Sequence, residues 1–139
     1  MKIAVVLASL ALAVTVATVP ALGAAAAASE AGAAKPYGSY SVRLAPKDPD
    51  VNPGVWRLTL RPGSFSLVSQ AFPIPNSGRL SVSGNRLTLS QWTLCPSAVG
   101  RYRWSLSGGR LRLRVIGTDT CSGNDRTVTL TSKPWTKRP

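Results

Sequence analysis

The sequence predicts an all-β domain, an antiparallel up-and-down β-barrel of about eight strands. Three observations carry that expectation. Beyond residue 36, apolar residues recur at every second position and no helical period is visible. Three two-residue turn signals, Pro62-Gly63, Gly84-Asn85 and Gly108-Gly109, each sit inside an alternating run. Between successive runs no segment is long enough for a helical crossover, so the strands must follow one another as a meander.

The elements follow in chain order. Tyr40 to Leu44 forms the first strand. A turn at Pro62-Gly63 places Leu60 opposite Phe65 and Leu58 opposite Leu67. A turn at Gly84-Asn85 places Val82 opposite Leu87 and Leu80 opposite Leu89. A turn at Gly108-Gly109 pairs Leu106 with Leu111, Trp104 with Leu113 and Tyr102 with Val115, leaving Ser105 facing Arg112 and Arg103 facing Arg114 on the other side. A one-residue slip would set apolar against charged residues at every pair, so this register is well specified. Arg126 to Thr131 supplies the eighth strand, and Trp135 closes the barrel or pairs with an edge. A unit of Gly, any residue, then a large apolar residue recurs at Gly38, Gly54, Gly100 and Gly109 and reads as strand-start chemistry. Closure removes the exposed edges of such a sheet. A small β-sandwich is the alternative.

The first 28 residues read as a secretory leader: Lys2, a long apolar run without charge, then small residues from Gly23 to Ser29. Cleavage is expected between Ala24 and Ala34. The competing reading, an uncleaved anchor, is disfavoured by Pro20 and the alanine-rich end. Residues 29–36 form a flexible lead-in and 37–139 a single barrel domain. About 110 mature residues suit one domain with a modest core. The expected location is extracellular or in the cell envelope, where a Cys95–Cys121 disulfide can persist. Extending the Gly108-Gly109 register places Cys95 opposite residue 122, one position from Cys121, with Gly100 and Gly117 available to absorb the offset. Such a bond would clamp the open end of that hairpin and contribute roughly 3 kcal/mol.

Charge is lopsided: 17 Lys and Arg against 5 Asp and Glu, a net charge of +12. A chain this basic is drawn to polyanions. Arg57, Arg101, Arg103, Arg112 and Arg114 alternate with apolar residues and form a candidate anion-binding face. Like charges opposed across strands repel, and five acids cannot neutralise them. The plainer reading is that arginine stems cover the sheet while salt screens their heads. The aromatic residues lie on the opposite face from the arginines, so no stacking platform for nucleic acid follows.

The inner face offers Trp56, Leu58, Phe65, Tyr102, Trp104 and Leu113 as the lining of an apolar pocket, although such a set is more often simply core. Catalytic machinery is lacking. With no His and two paired cysteines, no ordinary zinc site forms. Asp119 and Asp125 read as a solvated turn and not as a glycosidase-like pair, and no serine has a visible base partner. No enzyme activity, metal or cofactor is expected.

Gly54-Val55-Trp56 resembles the Gly-x-Trp opening of the lipocalins, members of the calycin group of ligand-binding barrels. Thr118-Asp119, after a late strand, resembles that family's second motif. The resemblance implies an eight-stranded cup for small apolar ligands, closed at one end by the tryptophan. No C-terminal helix is apparent. Tyr102 to Leu106, Leu111-x-Leu113, Cys121, Arg126 and Leu130 to Trp135 together resemble a group of small secreted actinobacterial proteins of unassigned activity, over about residues 38–137.

Two functional expectations result. The first is a secreted, non-catalytic and monomeric binding protein with a small apolar or amphipathic ligand inside the barrel. The alternative is a cell-envelope interaction protein that docks anionic polymers on its arginine face. Neither involves specific nucleic acid recognition or stable membrane insertion after the leader is removed.

Overall fold

The computed structural model of the chain describes residues 34–46, 52–71, 73–121 and 125–139. The leader, and the lead-in up to residue 33, lie outside the described residues. Among the described residues no helix is long and apolar enough to cross a membrane.

The three turns set three hairpins. Strands β2 (Gly54–Arg61) and β3 (Gly63–Ser69) pair with Leu60 opposite Phe65 and Leu58 opposite Leu67. Strands β4 (Asn76–Ser83) and β5 (Arg86–Ser90) pair Val82 with Leu87 and Leu80 with Leu89. Strands β6 (Gly100–Ser107) and β7 (Arg110–Val115) pair Leu106 with Leu111, Trp104 with Leu113 and Tyr102 with Val115. All three registers agree with the hairpin arithmetic. At the last turn Gly108 and Gly109 take φ of 54° and 71°, a left-handed pair that residues with a Cβ adopt only under strain.

The first strand, β1 (Gly38–Leu44), pairs with β2 along its whole length. Each later strand pairs with its neighbour in sequence, and the sheet closes on itself in the order β1 to β8. The architecture is therefore a closed, all-β, up-and-down barrel, as the sequence predicts.

The last part of the chain differs from expectation. Arg126 to Thr131 is not a strand. It belongs to a short helix, α1 (Asp125–Thr131), and the eighth strand is β8 (Trp135–Lys137). The reason lies in which face is buried. Val128 and Leu130 alternate like a strand, but Arg126, Thr129 and Leu130 are buried, and their i, i+3, i+4 spacing is a helical stripe. Burial of that stripe overrides the β preference of Thr and Val. The Ser132 amide continues the helical pattern onto the Val128 carbonyl at 3.0 Å.

Closure depends on three residues. In β8, Trp135 pairs with Leu111 and Thr136 with Arg110 on one side, while Thr136 pairs with Ser41 and Lys137 with Tyr40 on the other. Trp135 is completely buried, and its indole N–H donates to the Leu130 carbonyl at 3.0 Å. It both pairs with an edge and ties α1 to the wall.

The two ends of the barrel differ. The tight hairpins, the start of β1 and the end of β8 share one end. The longer loops, α1 and the disulfide share the other. Cys95 and Cys121 are joined, with Cα atoms 5.5 Å apart, which clamps the open end of the β6–β7 hairpin. Cys95 arrives there from a loop, where its amide donates to the Trp92 carbonyl at 2.9 Å, and not by outward extension of β6. Val115, expected inside, is exposed at the last position of β7.

Replacing Trp135 with Ala should cost about 3–5 kcal/mol. Hydrogen exchange should quicken at the Lys137 and Arg138 amides, which donate across the seam to Gly109 and Ser39 at 2.7 and 2.8 Å. Denaturant unfolding and amide exchange would check both.

Candidate functional site

Of the six inner residues singled out in the sequence, Leu58, Phe65, Tyr102 and Leu113 are all at most 4% exposed and belong to one continuous core. At that accessibility these four side chains pack in the core. An eight-stranded barrel is just wide enough for side chains to fill it or to hold one small ligand, and a Leu- and aromatic-rich cluster lies inside it here. Trp56 and Trp104 are half-buried and pack against the core from its margins. Their indole N–H groups donate to the backbone carbonyls of Asn52 at 2.9 Å and Gly84 at 3.2 Å.

The outer wall carries the charge. Arg103 stands opposite Arg114, as the hairpin register requires. Pairing of β5 with β6 adds Arg86 opposite Arg103, so three arginines form one row across three adjacent strands. Arg101 lies opposite Thr88, Arg112 opposite Ser105 and Arg110 opposite Ser107. All six arginines are exposed. Among the described residues the one ion pair joins Asp119 to Arg126, so no wall arginine is neutralised by it. Three cations on neighbouring strands, about 5 Å apart, repel one another, and among the described residues no carboxylate is paired with them.

The predicted face is spread over two parts of the wall. Arg101, Arg103, Arg112 and Arg114 share β6 and β7. Arg57 lies on β2 opposite Ser41 and Val68, separated from them by β8 and β1. There it lines a groove of about 480 Å³ with Arg43 and Arg138. Sequence reasoning missed Arg86, Arg43, Arg110 and Arg138. The Gly84-Asn85 hairpin register already set Arg86 on the outer face, opposite Ser83. Its place beside Arg103 required the β5–β6 register, which no tight turn fixes.

A second cluster lies inside, at the loop end. Asp119 is not in a solvated turn: it is fully buried. Arg126 donates to it twice, from Nε to Oδ2 at 2.7 Å and from Nη2 to Oδ1 at 2.6 Å. The Cys121 amide donates to Oδ1 at 3.1 Å, and the Tyr102 hydroxyl donates to Oδ2. The remaining nitrogen, Nη1, has no hydrogen-bond partner, and the guanidinium lies 5.2 Å from the Trp92 ring centre, where the π face supports a cation. Space for the cluster comes from Gly100, where an added Cβ would fall 2.3 Å from Asp119 Oδ2 and 2.9 Å from Arg126 Nη2. The arrangement has the marks of structure: its donors and acceptors face one another, buried, and join α1, β6 and the disulfide.

Burial alone pushes the Asp119 carboxyl up, but the bonds from Arg126, Tyr102 and the Cys121 amide outweigh it and hold it below the ordinary 3.8. Burial raises the Tyr102 and Tyr40 phenols above the ordinary 10.0, and the bond to Asp119 raises Tyr102 further. Tyr40 donates to the Pro36 carbonyl at 3.0 Å.

Comparison with protein-family models, curated proteins and solved structures finds no match for the chain. The calycin-like description is consistent with the small eight-stranded antiparallel barrel and rests on topology alone.

Stability should therefore be flat across neutral pH and fall at both extremes. The Asp119 contribution is complete above 3.8 and is lost as pH falls towards the lower folded value. The phenol contribution is complete below 10.0 and is lost as pH rises towards the higher folded values. Asp119→Asn should flatten the acid limb and cost about 3–5 kcal/mol at neutral pH, because it leaves Arg126 buried without its counter-ion. Urea midpoints across pH for both proteins would show it.

Proposed function

We propose that this chain is an extracellular, non-catalytic binding protein that holds anionic polymers against the arginine-bearing wall of β5, β6 and β7. A β-barrel is consistent with a binding role. The observation that carries the reading is the row Arg86–Arg103–Arg114, whose repulsion no ion pair among the described residues relieves. A polymer with closely spaced anions would relieve it, and guanidinium groups suit phosphate and carboxylate oxygens because they donate in a fork. Flanking hydroxyls at Ser83, Thr88, Ser105 and Ser107 add neutral hydrogen-bonding partners along the same rows. The disulfide supports an oxidising, extracellular setting. Four of the six inner residues fill the core, so the weight of the geometry lies with the wall and not with a small apolar ligand inside.

Calorimetric titration with inorganic polyphosphate across a range of salt concentrations tests this. Affinity should fall steeply with salt, and the Arg86→Ser, Arg103→Ser, Arg114→Ser triple variant should lower the log–log salt slope by about 2–3, close to one per lost phosphate contact. The thermal midpoint should hold or rise, since the row repels itself. Binding that ignores both salt and the triple substitution would refute the reading.

A further inference from the structure

The basic surface does not stop at β7. Arg110 on β7 stands opposite Thr136 of β8, which stands opposite Ser41 of β1, which stands opposite Arg57 of β2. This row crosses the seam where the barrel closes. Two grooves meet over it. One, of about 480 Å³, is lined by Arg43, Arg57 and Arg138. The other, of about 610 Å³, includes Arg43, Arg110 and Arg138 with Ser41 and Thr136. They share Arg43, Val55 and Arg138, so they form one trough in which cations and hydroxyls stand among valines and prolines. With the row on β5 to β7, the cationic surface winds around the barrel from β5 through the seam to β2.

We infer that the seam trough is a second station for the same polymer, and that the polymer is a flexible polyol phosphate: phosphodiesters joined by short hydroxylated linkers, without bases. This rests on the wall reading above. Three features select that chemistry. The path curves with a convex wall, which a stiff duplex or a rigid glycan touches only along one line. Among the described residues no aromatic side chain is exposed, so the wall lacks the ring faces on which bases stack. Arg57, Arg101, Arg110 and Arg112 each stand opposite a Ser or Thr hydroxyl, and such pairs match phosphodiester oxygens and linker hydroxyls in turn.

The test uses the full-length mature protein and three labelled oligomers of equal charge: glycerol phosphate, galacturonate and oligo(dT). Fluorescence anisotropy is read at two salt concentrations for the unsubstituted protein, the seam variant (Arg43→Ser, Arg57→Ser, Arg138→Ser) and the row variant (Arg86→Ser, Arg103→Ser, Arg114→Ser). Glycerol phosphate should bind tightest. Each triple variant should weaken it by roughly tenfold or more and reduce the salt slope, with thermal midpoints showing that both variants fold. If the seam variant binds like the unsubstituted protein while the row variant does not, the wall reading stands and the seam station is wrong. If galacturonate or oligo(dT) binds as tightly as glycerol phosphate, charge alone governs and the polyol phosphate assignment is wrong. If no oligomer binds even at low salt, both the seam inference and the wall reading fall.

Discussion

A three-residue strand holds this structure together. Trp135, Thr136 and Lys137 pair with β7 on one side and β1 on the other. Without them the seven longer strands would be an open sheet with two unpaired edges, a form prone to pairing with other chains. So short a ladder supplies few hydrogen bonds, and its hold depends on what Trp135 buries. The indole is wholly enclosed, touches the core and bonds to the end of α1. Closure, core and helix docking thus meet at one side chain. The trough over the seam depends on the same strand, since Thr136 bridges Arg110 to Ser41.

The barrel separates its chemistry by face with little overlap. Inward positions hold Leu, Tyr, Trp and Phe, packed until most are inaccessible. Outward positions on the strands hold mostly Arg, Ser and Thr, with Val55 and Val68 among them. The exception is instructive. Arg126 and Asp119 are charged and buried, and Arg126, Tyr102 and the Cys121 amide together fill the acceptor capacity of the Asp119 carboxylate. A buried ion pair of this kind contributes little net stability over a well-packed apolar substitute, but breaking it is costly. We read its role as fixing α1 and the disulfide loop in one place at the end of the barrel.

Much of this was legible from residue order. Two-residue turns fix which residues oppose one another, so three hairpins and their inward faces followed from arithmetic, as did the opposition of Arg103 and Arg114. The cysteine pairing followed from the presence of two cysteines in a chain read as exported, and not from the register, because Cys95 reaches Cys121 from a loop. What failed was decided over distance. The alternation of Val128 and Leu130 mimics a strand, and only the partners waiting for Arg126, Thr129 and Leu130 make that segment a helix. Asp119 looked solvated because nothing local announces Arg126, Tyr102 and the space that Gly100 leaves. Arg86 joins the arginine row only through the β5–β6 pairing, whose loop of nine residues sets no register by itself. Arg57 shares the alternation of the other arginines, but closure carries it to another side of the barrel.

The position of the closing strand has a further consequence, for synthesis. Chains emerge in order from the ribosome, and β8 follows every other strand. While β1 to β7 are already out, the wall cannot yet shut, and two bare edges persist for as long as the final segment takes to appear. During that interval the nascent sheet is at its most vulnerable to misassembly. Like charges along the outward side repel, so they disfavour the pairing of one open sheet with another.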